Sequence, residues 1–85
     1  MSGLTLTITE EAGVTTFRET TPEQLVGRLW KHAYFRSVTP WRYMREVAAS
    51  VRIQTGHRVR YDTAEHFLRD LAATGLIEMD WGAGR

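Results

Sequence analysis

The sequence predicts a small α+β domain in the order ββααβαβ: an N-terminal β-hairpin, two helices, then strand, helix and strand. Three observations carry that expectation: period-two alternation near the N-terminus, two Thr-Pro helix starts, and a well-capped amphipathic helix running into a strand at the C-terminal end. With 85 residues the chain has room for one domain, and 42% hydrophobic against 25% charged residues places it among globular rather than disordered sequences. Residues 1–85 are therefore read as a single domain, with 1–3 and 82–85 as frayed ends.

At the start, Leu4, Leu6 and Ile8 alternate with Thr5, Thr7 and Thr9, the pattern of a strand with one buried face. Glu10 to Gly13 reads as a turn and Val14 to Phe17 as the returning strand. So short a hairpin is not stable alone and must pack on helices or join a larger sheet.

Both following helices begin with a threonine N-cap and a proline at the first helical position, where a missing amide is no loss. They start at Thr21-Pro22 and Thr39-Pro40. In the first, Gln24 completes a capping box, Leu25, Leu29 and Ala33 share one side with Val26 and Trp30 beside it, and Gly27 interrupts the interior at a cost of about 1 kcal/mol. The second, Pro40 to about Gln54, gathers Trp41, Met44, Val47, Ala48 and Val51 into one sector and turns Arg42, Arg45 and Arg52 away from it. Between them, Tyr34 to Val38 forms an aromatic linker. Thr55-Gly56 ends the second helix.

His57 to Tyr61 reads as a short strand with Val59 and Tyr61 on one face and Arg58 and Arg60 on the other. The next helix is expected to open on Asp62 as N-cap with Glu65 three residues on, to present Ala64, Phe67, Leu68, Leu71 and Ala72 as an apolar stripe, and to stop at Gly75 with Leu76 packed against Leu71. A strand follows, with Ile77, Met79 and Trp81 on one face and Glu78 and Asp80 on the other. The two last strands could pair as a parallel unit, bringing Arg58 and Arg60 near Glu78 and Asp80, or the hairpin could lie between them. The stretch FLRDLAATGLIEMD is similar to the last helix and following strand of winged-helix and related small domains; that resemblance covers only this stretch, and no second wing strand is expected after Trp81.

The net charge of +1 hides an uneven distribution. Residues 1–35 sum to −1, residues 36–61 to +5 through six arginines against Glu46, and residues 62–85 to −3. Arg36, Arg42, Arg45, Arg52, Arg58 and Arg60 are thus candidates for binding nucleic acid or another anion, with Tyr43 at their border able to stack on a base. Paired with Glu46, Glu78 and Asp80, the same arginines would be an ordinary solvated face.

The other candidate surface is aromatic. Three tryptophans, three tyrosines and three phenylalanines are many for so small a core, and Trp30, Tyr34, Phe35 and Trp81 are candidates for a protein interface. A non-enzymatic recognition or adaptor domain acting through that interface, with a protein partner or as a homodimer, is the first functional expectation, and nucleic-acid binding by the arginines the second. No nucleophile stands in a recognisable catalytic context and no glycine-rich phosphate loop is present, so an enzyme is not expected, nor is a cofactor. His57, His66, Asp62 and Asp70 include a helical pair, His66 and Asp70, but no third ligand at a metal-binding spacing. Without cysteine, signal peptide or a long apolar run, the expectation is a soluble cytoplasmic protein with no membrane partner.

Overall fold

The computed structural model describes residues 3–33 and 39–82 and has the α+β architecture expected, as one three-stranded sheet and three helices. β1 (Leu4–Glu10) and β2 (Gly13–Glu19) form the hairpin, α1 (Pro22–His32), α2 (Pro40–Thr55) and α3 (Ala64–Thr74) follow, and β3 (Glu78–Asp80) closes the order. The sheet order is β2-β1-β3, with both pairings antiparallel.

Register explains why β1 is central. Leu6 stands opposite Phe17 on β2 and Met79 on β3, so one row of apolar side chains crosses all three strands on the covered face. Leu6 is fully enclosed and Phe17 buried, while Met79 packs against the same cluster. The helices cover this row: α1 packs on β1 and β2, α3 on β3, and α1 also meets both other helices. The core continues through Leu25, Val26 and Leu29 of α1, Met44, Ala48 and Val51 of α2, and Ala64, Phe67, Leu68 and Leu71 of α3, with Ile77 just before β3.

All three helices start with one device. Thr21, Thr39 and Thr63 sit in extended backbone (φ −132° to −136°, ψ 154° to 159°), and each hydroxyl accepts the amide three residues on: Gln24, Arg42 and His66. At α1 the Gln24 side chain returns the bond to Thr21 and also accepts from the amide and hydroxyl of Thr20. The α3 cap corrects the expectation of Asp62. Asp62 lies one residue outside the helix, where its Oδ1 accepts from the Thr63 amide (3.0 Å) and meets His66 Nδ1 (2.9 Å), while Glu65 pairs with Arg69 one turn along. Adjacent residues of equal capping chemistry compete here, and the threonine takes the position.

Gly56 and Gly75 end α2 and α3 in the left-handed region (φ 79° and 86°), as their type predicts. Beyond Gly75 the expected Leu76–Leu71 packing gives way: Leu76 is 48% exposed, and Ile77 is the residue that turns into the core.

The expected strand His57–Tyr61 is the main local difference. These residues form no strand: the sheet is β2-β1-β3, and residues 57–61 pair with none of its members. Val59 is nonetheless buried, so the segment is held by one apolar anchor rather than by a sheet. Consequently β3 pairs with β1 and not with this segment, and no parallel unit forms. The linker Tyr34 to Val38 and the tail residues 1–2 and 83–85 lie outside the described residues.

A Cβ added at Gly27 would meet no atom within 4 Å, so nothing packed there requires glycine. Gly27→Ala should therefore raise the unfolding free energy by about 0.5–1 kcal/mol through the lower backbone entropy of the unfolded chain, measured by urea denaturation. In the same assay Thr63→Ala should cost about 1 kcal/mol, and Asp62→Ala less; the reverse ranking would assign the cap to Asp62.

Candidate anion-binding groove

The arginine stripe of α2 is built by helical spacing. Arg42, Arg45, Ala49 and Arg52 recur at intervals of three and four residues and so follow one line along the helix, away from the buried Met44, Ala48 and Val51. Chain reversal at Gly56 then carries residues 57–61 back alongside α2. Between the two runs a groove of about 440 Å³, lined by Arg45 and Arg52 on one wall and Arg58, Arg60 and Tyr61 on the other, has Ala48, Ala49 and Val59 as its apolar lining. Alanine at two successive lining positions matters, since longer side chains there would fill the space.

Of the six arginines singled out from sequence, four thus meet around one groove. Arg42 lies farther along the same stripe, sharing a smaller depression of about 230 Å³ with Arg45, Glu46 and Ala49. Arg36 is outside the described residues.

The partners differ from those expected. Arg60 does not reach Glu78 or Asp80; it meets Asp70 on α3 through a two-point side-chain contact (Nε to Oδ2 2.9 Å, a terminal guanidinium nitrogen to Oδ1 3.1 Å). Its backbone amide donates to the same carboxylate at 2.8 Å. One aspartate therefore supplies what a neighbouring strand does not, an acceptor for the segment's main chain, and at the same time fixes an arginine side chain. The contact holds the Asp70 carboxyl below the usual aspartate range, mainly through the Arg60 side-chain hydrogen bond, and raises the Arg60 guanidinium for the same reason. Asp62 is likewise held low, first by its bond to His66.

Among the described residues, Arg52 and Arg58 have no acidic side-chain partner, and neither has Arg42. Arg45 instead places its guanidinium 5.9 Å from the ring centre of Trp41, one turn earlier on α2. Trp41 in turn meets Tyr61 edge to face, with ring centres 5.8 Å apart and planes at 66°. Both rings are open to solvent, Trp41 at 48% and Tyr61 at 36%. This pair, with Arg60 and Asp62, lines an open hollow of about 390 Å³ that shares Arg60 and Tyr61 with the arginine groove.

Two sequence assignments change here. Tyr43, expected at the arginine border, is half-buried edge to face against Phe67 (6.4 Å), and burial pushes its hydroxyl pKa up; it is part of the packing. Trp41, expected in the core, is at the surface instead. A helical wheel gives angle but not height, and Trp41 in the first turn of α2 projects from the end of the helix before the core begins. Its neighbour Tyr61 was placed inward by strand alternation, which loses its force once the segment has no ladder.

Trp30 is half-buried in α1, Trp81 packs on the core just beyond β3 with the Arg69 guanidinium 4.2 Å from its ring centre, and Tyr34 and Phe35 are outside the described residues. Among the described residues no group of three or more His, Cys, Asp or Glu side chains is placed to hold a metal, and His66 faces Asp62 rather than Asp70. No helix among them is long and apolar enough to cross a membrane.

Because Asp70 has a lower pKa folded than unfolded, its contact contributes stability that is fully present above about pH 4 and is lost as pH falls through the lower folded value. Urea midpoints should accordingly fall between about pH 5 and pH 2, and Asp70→Asn should flatten that fall while lowering the midpoint at neutral pH. An unchanged acid limb in the variant would remove Asp70 from the stability of this wall. Comparison with known protein families, with curated proteins and with solved structures returns no match, so the chemistry of the groove itself carries the functional reading.

Proposed function

We propose that this is a non-enzymatic nucleic-acid-binding domain that takes the phosphate backbone along the groove between α2 and residues 57–61. The observation that carries the reading is the convergence of Arg45, Arg52, Arg58 and Arg60 from two separate runs of chain on one apolar-lined groove, where Asp70 pairs with Arg60. Like charges brought together repel, and a polyanion laid along them relieves that repulsion while releasing its own counterions. Guanidinium groups suit this task because each offers several donors in a planar fork that matches phosphate oxygens.

The groove supports this reading over the protein-interface one. Trp30 and Trp81 are each half-buried against their own domain, so neither offers a fully open anchor for a partner. The modest total charge is compatible with nucleic-acid binding because the acidic residues lie mostly outside residues 36–61. An intracellular, cytoplasmic setting fits such a ligand.

Three phosphate contacts, at Arg45, Arg52 and Arg58, predict a slope of log affinity on log salt of about −2 for a single strand and somewhat steeper for a duplex. Fluorescence anisotropy of labelled DNA and RNA should therefore show affinity falling by about 20-fold or more between about 50 and 200 mM salt. Arg52→Glu with Arg58→Glu should abolish most binding at the lower salt while leaving the thermal midpoint nearly unchanged, since both side chains are exposed. No binding by the wild-type protein at about 50 mM salt would defeat the proposal.

A further inference from the structure

The hollow beside the groove narrows the ligand class, an inference that rests on the phosphate-binding reading above. Trp41 and Tyr61 leave aromatic surface open at the end of the arginine wall, and Arg60 and Tyr61 border both spaces, so a chain lying in the groove has the hollow within reach of its next nucleotide. At about 390 Å³ the hollow falls within the usual range of small-ligand sites, about 300–1,000 Å³.

Its chemistry differs from that of the groove. Two aromatic rings dominate it, and the carboxylate of Asp62 stands at its edge, with Oδ1 already engaged by Thr63 and His66. A phosphate entering there would meet a negative charge; a neutral planar base would meet π surface. The backbone is thereby directed to the arginines and the base to the rings. Only an unpaired base can make this contact, because in a duplex each π face is already covered by its neighbours in the stack. We infer that the domain binds single-stranded nucleic acid, with one unpaired base stacked on the Trp41–Tyr61 pair while the adjoining phosphates lie between Arg45, Arg52 and Arg58.

The test compares four labelled probes at about 50 mM salt: single-stranded DNA and RNA of about 12 nucleotides, a blunt duplex of the same length, and an abasic sugar-phosphate strand that keeps the charges and lacks the bases. The base-bearing single strands should bind about ten-fold more tightly than the abasic strand, and more tightly than the duplex once its doubled charge is allowed for by the salt slope. Trp41→Ala should remove that ten-fold advantage and leave binding to the abasic strand unchanged. Tryptophan fluorescence should be quenched by the base-bearing strand in the wild type and not in Trp41→Phe, a milder change that guards against a misfolded alanine variant. A preference for DNA or for RNA supports the inference either way and identifies the sugar. Equal binding of abasic and base-bearing strands, unaffected by Trp41→Ala, would overturn the base-stacking inference while leaving the phosphate groove intact. Absence of binding to every probe would overturn both.

Discussion

Phe67 and Leu68 are neighbours in sequence, point about 100° apart on α3, and are both fully enclosed. That pair of facts constrains the whole molecule. Burying both directions takes a broad apolar stripe, while Glu65, Arg69 and Ala73 keep the opposite side of α3 in water. The sheet with α1 supplies one cover. α2 contributes the other through Tyr43, whose ring meets Phe67 edge to face, and through the buried Met44, Ala48 and Val51. α2 itself packs on α1 and reaches α3 through the Tyr43–Phe67 contact, which leaves Arg42, Arg45 and Arg52 exposed.

Much of this was legible in the sequence. The hairpin, the two Thr-Pro starts, the glycine stops and the inward row of the last strand depend on local stereochemistry and on alternation, and both are written in consecutive residues. The strand expected at His57–Tyr61 failed because alternation describes which residues are buried without saying what buries them. Val59 meets that description as a member of the core cluster, with no ladder at all. The cap of α3 was off by one residue because Asp62 and Thr63 both have the chemistry, and only the backbone decides between them.

The candidate site was legible as charge and illegible as shape. Six arginines in residues 36–61 are visible in any reading of the chain. That four of them would meet across a groove required Gly56 to reverse the chain and Asp70, ten residues beyond Arg60, to fasten the returning segment. The aromatic pair was missed for a related reason. Trp41 and Tyr61 are distant in sequence, and each fits an inward pattern when its own element is considered alone; their meeting at the surface is a product of the same reversal.

A wall held by side-chain contacts behaves differently from a strand in a sheet. A ladder opens only by breaking a cooperative series of bonds, whereas residues 57–61 are secured by the Asp70 contact, the burial of Val59 and the contact of Tyr61 with Trp41. Such a segment can separate from the body of the protein in a local fluctuation that leaves the three-stranded sheet and the core of α3 untouched, and its amides should exchange with solvent well before those of β1. The domain therefore sets a helical wall, α2, opposite a wall that no ladder supports, and the two meet again at the Trp41–Tyr61 contact.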